Sequence, residues 1–327
     1  MTDEILVFTK DEVSSHHDTS SLWVIVKDKV YDLTSFAEDH PGGMEILLQY
    51  GGQDVTDVLQ DVNEHLHSDS AYEMLDDYMI GHLSDSKSVS KQESKTKNDF
   101  IDVNKPMLAQ IWNRNFSKSF YLEQVHKARH CKHSAPIFGY ALLDMFTRTP
   151  WWAIPIFWIP FIIYTSTECI KQNPTWYLLW IYPVGIFIFT FIEYSLHRFL
   201  FHLDDMLPDH KIALMIHFTM HGVHHFLPMD QMRLVLPPAL GFVLVYPIWA
   251  TFHFLMPNGI GQGITAGGLI GFVAYDMTHY YLHHGKPFND YASEMKSYHL
   301  DHHYKNYELG YGITSKLWDW VFGTLIV

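Results

Sequence analysis

The sequence has few cysteines, fewer basic than acidic residues, and a polar rather than an apolar N-terminal segment. Its 327 residues include two cysteines, Cys131 and Cys169, whose spacing fits no metal or redox motif, so we expect no disulfide framework. Residues 1–18 are polar and acidic, which predicts that no secretory signal peptide is present and that the N-terminus stays in the cytosol. A net charge of −14 argues against a nucleic acid partner, which attracts the opposite sign.

The negative charge is confined to the first part of the chain. Residues 1–86 carry 19 acidic and 3 basic residues, a net charge of −16. Subtraction from the totals of 36 and 22 leaves 17 and 19 for residues 87–327, a net charge of +2. The sequence therefore predicts a small acidic domain, followed by a nearly neutral region rich in aromatic and apolar residues.

Composition divides the chain into three predicted regions. Residues 1–83 contain β-prone runs at 22–26 and 29–33 and helical stretches at 33–39 and 44–50, which predicts a compact α+β domain. Residues 84–99 form a Ser- and Lys-rich run without hydrophobic periodicity, which predicts a flexible linker. Residues 100–327 are predicted to form an all-α integral membrane domain, because they contain long apolar segments.

Four such segments predict transmembrane helices, at 150–164 with its flanks, 176–194, 234–256 and 260–275. Each suits a helix of about 17–23 residues, long enough to cross about 30 Å of hydrocarbon. A very apolar soluble core is the alternative, but four segments so close together favour a membrane. We expect two helical hairpins, with residues 197–233 and 276–327 forming a helical cap on one side.

Basic residues indicate which side carries the cap. Lys171 alone marks the connection within the first hairpin, and the connection within the second has none. Positive charge collects before the first segment and after the second, at Lys127, Arg129, Lys132, Arg148, Arg198, Lys211 and Arg233. The positive-inside rule then places both termini and the cap in the cytosol.

The motif His40-Pro41-Gly42-Gly43 lies between two predicted helices and is a candidate haem site. Its glycines allow a tight turn beside a flat cofactor, although the motif alone could be a simple turn. His67, 27 residues further on, could bind the opposite face of the same iron. Two axial imidazoles would make that iron an electron carrier and not an oxygen binder.

With Trp23, the run Tyr31-Asp32-Leu33 and the pair His67-Ser68, residues 5–83 resemble cytochrome b5. The resemblance implies one haem b bound by His40 and His67. His65 remains an alternative to His67, although the family places a serine directly after the ligand.

Histidine, with 23 copies, is the most unusual component, and four clusters of it follow the predicted membrane segments. Spacings of i, i+3 and i+4 place imidazoles on one helix face. His197 and His202 are five apart, so we expect the helix to end near Phe199 to bring them together. Ten residues fit this reasoning and suit two metal ions: His197, His202, His221, His224, His225, His279, His283, His299, His302 and His303.

Other histidines fit less well. His217, four residues before His221, stays a geometric alternative, while His284 is off the face of its neighbours. His210, His253 and the group His126, His130 and His133 have no partner spacing. A metal transporter would place ligands within the bilayer, whereas these clusters lie at the ends of the segments, which favours catalysis. Imidazole suits iron, zinc and copper, so the ligand type leaves the metal open.

Residues 190–325 resemble the fatty acid hydroxylase superfamily. The runs Tyr275-Asp276-Met277-Thr278-His279 and Gly312-Ile313-Thr314-Ser315-Lys316-Leu317-Trp318-Asp319, joined to a cytochrome b5-like domain, make the chain most similar to sphingolipid fatty acid 2-hydroxylases. The resemblance implies an endoplasmic reticulum enzyme that uses O₂ to hydroxylate very-long-chain acyl groups of ceramides. It also implies the same ten metal ligands, with His217 and His284 outside the metal shell.

By the same resemblance, the cofactors are one haem b and two metal ions. Iron is expected for activity, and zinc is possible in the purified protein. Electrons would come from an NADH-dependent cytochrome b5 reductase through the haem domain, and the membrane would supply the lipid. Tyr275 and Asp276 lie one helical turn before His279 and are candidates for substrate contacts or for orienting a ligand, with a plain polar helix end as the alternative.

Three other functions remain as alternatives. A desaturase with a fused cytochrome b5 domain usually has Gln where this chain has His299, and a sterol oxidase usually lacks its own cytochrome b5 domain. A haem-binding membrane adaptor with structural zinc would need only four ligands per ion. The sequence leaves open whether the substrate is a free acid, an acyl-CoA or a ceramide, and it leaves open the chain length and the oligomeric state.

Overall fold

The computed structural model describes residues 6–37, 40, 43–60, 67, 69–84, 100–131, 133–256 and 259–326. The chain divides into two compact units, one made mainly of residues 1–99 and the other mainly of residues 100–327. The first is an α+β unit and the second is helical. His65 and residues 85–99 of the predicted linker lie outside the described residues.

The first unit is built on a five-stranded sheet with the strand order β1-β5-β4-β3-β2. β1 pairs in parallel with β5, and the other neighbours are antiparallel. The two predicted β-prone runs are confirmed as β3 and β4, which a two-residue turn joins with Lys27 in the left-handed region at φ 61°. The strands are β1 Val7–Phe8, β2 His17–Asp18, β3 Ser21–Val26, β4 Lys29–Asp32 and β5 Met79–Leu83.

Among the described residues, four short α-helices accompany the sheet: α1 Lys10–Ser14, α2 Met44–Gln49, α3 Thr56–Gln60 and α4 Asp69–Leu75. α2 corresponds to the helix predicted at 44–50. The helix predicted at 33–39 is wrong in its described part, because the N–H groups of Phe36 and Ala37 both donate to the Leu33 carbonyl, which closes a turn. Leu22, Val24 and Tyr31 of the sheet pack with apolar side chains of α2 and α3 to form the core.

The second unit contains eleven α-helices among its described residues: α5 Met107–Asn113, α6 Lys118–Val125, α7 Ala141–Met145, α8 Ala153–Ile170, α9 Leu178–Leu196, α10 Lys211–His217, α11 Val223–Phe226, α12 Pro238–Leu255, α13 Ile260–His284, α14 Asp290–Tyr304 and α15 Leu317–Phe322. α5, α6, α10 and α11 pack around a buried aromatic core that includes Phe100, Tyr121, Phe218 and Phe226.

Three helical segments of the described residues are long and apolar enough to cross a membrane. They are Ala153–Ile170, Thr175–Met206 and Pro238–Leu255. Most of their side chains are not buried within the protein, as expected for helices that face lipid. The fourth predicted segment forms the start of α13, whose 25 residues include several glycines and are largely buried. The structure therefore shows three candidate spans where the sequence predicts four.

α13 packs against α8, α9 and α12 and is the central helix of this group. Two glycines allow its close approach to α9. A Cβ added at Gly185 would come within 2.9 Å of the Gly267 Cα, and a Cβ at Gly267 would come within 2.6 Å of the Tyr182 carbonyl oxygen. Because these neighbours are backbone atoms, no side chain can move aside, so the contact requires glycine on both helices.

Candidate metal centre

The first histidine pair lies on a π-helical turn that continues α9. This turn covers His197–Phe201, and the His202 N–H donates to the His197 carbonyl at 3.0 Å. Hydrogen bonds between residues five apart widen the turn, so residues i and i+5 come round to the same side. The prediction that the helix ends near Phe199 is wrong, because a wider turn brings His197 and His202 together.

The remaining clusters come from three other helical segments. A second π-helical turn, Phe218–Gly222, leads into α11 and carries His221, while His224 and His225 lie on α11 itself. The last two turns of α13 carry His279 and His283. The C-terminal half of α14 carries the remaining three, His299, His302 and His303.

The ten predicted histidines form two groups of five. In each group the candidate ligand nitrogens all lie within 4.8 Å of one another. We name them the first cluster, His197, His202, His221, His225 and His302, and the second cluster, His224, His279, His283, His299 and His303. Nine of the ten are buried and His202 is partly buried. The structure brings every predicted metal residue into one of the two groups.

The spacing of the nitrogens fits a metal ion in each cluster. In the first cluster, His197 Nε2 lies 3.2 Å from His221 Nε2, and His302 Nε2 lies 3.2 Å from His202 Nε2. In the second, His283 Nε2 lies 2.9 Å from His299 Nε2. Neighbouring imidazole ligands bound at about 2.1 Å and at right angles would be about 3 Å apart. Several lone pairs facing one another so closely would repel unless a cation lay between them.

Burial keeps these imidazoles neutral, which is the form that binds metal. The pKa values of His221 and His225 lie well below the usual range for histidine, chiefly because burial disfavours the charged ring. The same cause lowers the pKa values of His299 and His303. Since a ligand histidine must be deprotonated, no proton has to be displaced before a metal binds.

Side chains that the sequence spacing did not indicate surround the first cluster. Asp204 Oδ1 lies 3.0 Å from His217 Nε2, and Tyr121 Oη lies 2.9 Å from His217 Nδ1. The His126 ring stacks on Tyr307 with centroids 3.6 Å apart. Its Nε2 lies 3.5 Å from Asp204 Oδ2, and burial lowers its pKa to about 4 although Asp204 opposes the shift.

His126, which has no partner spacing in the sequence, lies with His202 and Asp204 in a third group of possible ligands. His217 belongs to neither five-histidine cluster. The His284 ring faces Tyr280, with centroids 5.1 Å apart, and His253 Nδ1 pairs with Gln262 Nε2 at 2.9 Å.

A cavity of about 260 Å³ borders both clusters. Its wall includes His221 of the first cluster and His224 and His279 of the second. Most of the remaining lining is apolar and comes from residues 234–237, 239 and 240 and from Phe146, Phe201 and Met220. The cavity can therefore bring an apolar molecule directly to the histidines.

Tyr275 and Asp276 both line this cavity. The Tyr275 ring is 6.0 Å from the His279 ring and packs against Phe189. Asp276 is 1% exposed, and its two carboxylate oxygens accept the Leu236 N–H at 3.2 and 3.1 Å. Asp276 therefore holds the segment that forms one wall of the cavity.

The candidate haem ligands of the first unit face each other. The rings of His40 and His67 have centroids 6.5 Å apart and planes inclined by 28°. Two imidazoles bound at about 2 Å on opposite sides of one ion would have centroids roughly 6–6.5 Å apart. His40 Nδ1 donates to the Gly43 carbonyl at 3.2 Å, which makes its Nε2 the candidate iron ligand. The gap between the rings fits a haem iron.

Comparisons with known proteins agree with both parts of the chain. Residues 9–84 match the model of the cytochrome b5-like heme/steroid binding domain, and residues 182–324 match the model of the fatty acid hydroxylase family. The ceramide very long chain fatty acid hydroxylase of Saccharomyces cerevisiae is 41% identical over 98% of this chain and 94% of its own length. The fatty acid 2-hydroxylase of Mus musculus is 34% identical over 98% of this chain and 95% of its own.

A solved structure is also similar. It is that of full-length Scs7p, in which only the hydroxylase domain is visible. The match covers 71% of this chain and 87% of that chain, with a TM-score of 0.68 and 45% sequence identity.

Proposed function

The chain belongs to the fatty acid hydroxylase family, in the group that carries an N-terminal cytochrome b5-like domain, and we propose that it hydroxylates position 2 of very-long-chain acyl groups in ceramides. It is a membrane oxidoreductase with a haem-binding domain. The acyl substrate is inferred from its relatives, which include ceramide and dihydroceramide acyl hydroxylases.

The cavity beside the two histidine clusters is the observation that carries this proposal. A ceramide acyl group is apolar along its chain and polar only at its carbonyl end. The cavity offers Val235, Leu236 and Leu240 to the chain and the histidines to the reacting carbon. Its volume of about 260 Å³ suits the first part of an acyl chain, so the rest would extend toward lipid.

We propose that each five-histidine cluster holds one metal ion through Nε2 atoms and that both ions are iron in the active enzyme. Five nitrogens per cluster exceed the four ligands typical of structural zinc. Zinc could still occupy the same nitrogens in purified protein. When bound, the metal pair supplies the activation of O₂ that an unactivated C–H bond requires.

The protein's own residues position the substrate and exclude water. Burial of the clusters and the apolar lining keep bulk water from the reacting carbon. Asp276 fixes the Leu236 backbone and with it the wall against which the acyl chain lies. Tyr275, on the same wall, is placed to contact the carbonyl end of the substrate.

Electrons reach the metal centre through the N-terminal domain in this proposal. Residues 1–83 would hold one haem b between His40 and His67, and an NADH-dependent cytochrome b5 reductase would reduce it. A haem held there would supply single electrons, so the domain would have to return for the second electron of each hydroxylation. A linker at 84–99 would keep the local concentration of that domain high while allowing it to move between reductase and metal centre.

We further propose four membrane spans in the endoplasmic reticulum, with both termini and the histidine clusters on the cytosolic side. α13 would be the fourth span, shielded from lipid by α8, α9 and α12. The basic residues before α8 and after α9 support this orientation, since cytosolic segments carry the excess of Lys and Arg.

Product analysis tests the function. The chain is expressed in cells without endogenous lipid hydroxylase, and total sphingolipids are analysed by mass spectrometry. We expect ceramides that gain one oxygen at acyl position 2. The adjacent pair His283→Ala and His284→Ala provides a matched test, because only His283 belongs to a cluster. Hydroxylation should be lost with His283→Ala and retained with His284→Ala.

Other results would contradict the proposal in distinguishable ways. A product two hydrogens lighter would indicate a desaturase, and an oxidised sterol would indicate a sterol oxidase. A sphingolipid profile that does not change on expression would favour a haem-binding adaptor with structural zinc. Loss of activity with both adjacent variants would show that this part of α13 does not tolerate alanine. The metal content of the two variants would then show whether His283→Ala alone loses a metal ion.

A further inference from the structure

The two histidine clusters differ in what holds their outer ring nitrogens. Within each cluster the rings approach one another through Nε2, so Nδ1 points outward. In the first cluster, His197 Nδ1 donates to the Tyr311 carbonyl at 2.7 Å, and His302 Nδ1 donates to the Leu309 carbonyl at 2.6 Å. His202 Nδ1 lies 3.9 Å from the Asp204 carboxylate, near enough for a charge interaction but too far for a hydrogen bond.

The second cluster has no comparable support among the described residues. The Nδ1 atoms of His224, His283, His299 and His303 are buried without a hydrogen-bond partner from the described part of the chain. In the first cluster the Nδ1 atoms of His202 and His225 are in the same situation, so two of its rings, His197 and His302, have a carbonyl acceptor. Lys296 is buried one helical turn before His299 and places a positive charge beside the second cluster. Beside the first cluster, Asp204 places a negative charge.

The two carbonyls that support the first cluster lie on one loop, residues 309–314, and Asp319 fixes its shape. The Asp319 carboxylate accepts the N–H groups of Tyr311 at 2.9 Å and Gly312 at 2.7 Å. It also accepts the Thr324 hydroxyl at 2.7 Å. Asp319 is 0% exposed and makes no hydrogen bond or ion pair to a histidine of either cluster in the described structure, so it acts on the first cluster through the loop.

We propose that the two metal positions are inequivalent: the loop 309–314, fixed by Asp319, makes the first cluster retain its metal more strongly than the second. This inference rests on the proposed two-metal site. An acceptor at Nδ1 fixes the orientation of a ligand ring and makes its Nε2 a better donor to the metal. Loss of such a partner typically costs about 10–100-fold in metal affinity. Asp319 is therefore a positioning residue for the first cluster.

Metal release from the full-length protein tests the inference without any measurement of activity. The protein is purified in detergent, loaded with Zn²⁺ and mixed with an excess of a chromogenic zinc chelator. We expect two phases of one equivalent each, with the slow phase at least about 10-fold slower. His299→Ala should keep only the slow phase, and His197→Ala only the fast one.

Asp319→Asn should accelerate the slow phase about 10–100-fold and leave the fast phase unchanged. Asp144→Asn is the matched control, since Asp144 is also a buried carboxylate that accepts backbone N–H groups, from Ile137, Phe138 and Gly139. It should change neither phase. If Asp319→Asn does not fold, Thr324→Val removes one bond to Asp319 and should accelerate the slow phase by a smaller factor.

Release of two equivalents in a single phase would overturn the inference, as would an unchanged slow phase in folded Asp319→Asn protein. Both results would leave the two-metal proposal intact. A protein that binds no zinc under any loading condition would instead overturn the two-metal site itself.

Discussion

Each histidine triplet contributes to both clusters. On α11 and the turn before it, His221 and His225 are one turn apart and belong to the first cluster, whereas His224 belongs to the second. On α14, His299 and His303 belong to the second cluster and His302 to the first. A spacing of i, i+3 and i+4 therefore makes these two segments the shared wall between the metal positions. Movement of either segment would alter both positions together.

The role of Asp276 can be separated into support of the backbone and contact with substrate. Asp276→Ala leaves the half-buried Leu236 N–H without its acceptor, at a cost of about 1–3 kcal/mol. Asp276→Asn keeps an oxygen in the same place. We expect Asp276→Ala to lower the thermal unfolding temperature and hydroxylation together, while Asp276→Asn keeps most of both. A stable but inactive Asp276→Asn protein would show instead that the negative charge itself is required.

At the haem site, His67→Ala and His65→Ala decide which residue is the second ligand. The His67 ring faces His40 at a separation that fits one iron. We expect His67→Ala to abolish the absorption spectrum of a six-coordinate haem and to reduce hydroxylation strongly. His65→Ala should leave both unchanged. If His65→Ala abolished this spectrum and His67→Ala left it unchanged, His65 would be the second ligand.

The ten candidate ligands could be found from sequence because local spacing places them on common helix faces. The residues that surround these ligands could not be found from the sequence. His126 lies near Asp204 and Tyr307, which are far from it in sequence, so no periodicity connects them. The carbonyls of Leu309 and Tyr311 carry no sequence signal, because any residue has a carbonyl group. Their importance depends on the loop conformation that Asp319 imposes.

At the scale of the helix, the five-residue separation of His197 and His202 could have predicted the local backbone more accurately than it did. On an α-helix such residues diverge, and only a wider turn or an interruption brings them together. The chain uses the wider turn twice, at His197–Phe201 and at Phe218–Gly222, and both lead into a cluster. π-helical turns are often found at functional sites, so this spacing could have predicted one.

The contact between α9 and α13 gives a prediction with a control one residue away. A Cβ at Gly267 would meet backbone atoms of Tyr182 and Gly185 at 2.6–3.0 Å, whereas a Cβ at Gly268 would have only an ordinary contact at 3.7 Å. We expect Gly267→Ala to destabilise the protein by about 1–3 kcal/mol through overpacking. Gly268→Ala should leave the unfolding temperature in detergent nearly unchanged. Equal unfolding temperatures would contradict the close approach of the two helices.

At the scale of the whole molecule, the metal clusters constrain the number of membrane crossings. The first cluster joins His202, which follows α9, to His302 on α14, and their Nε2 atoms are 3.2 Å apart. α12 lies between them in sequence and is apolar enough to cross the membrane. If it crosses, the chain must cross back before His302. Between α12 and His302, α13 is the only described helix long enough to do so, although its buried glycines lower its average hydropathy.

Cysteine labelling in sealed microsomes, whose cytosolic face is outward, tests this count. Lys171 follows α8 and Lys305 follows α14, and their side chains are 60% and 71% exposed. In a Cys131→Ser background, we expect a membrane-impermeant maleimide to label Lys305→Cys directly. Lys171→Cys should react only after detergent is added, because it follows one crossing and Lys305 follows four. With three crossings both positions would be protected, so direct labelling of Lys305→Cys distinguishes four spans from three.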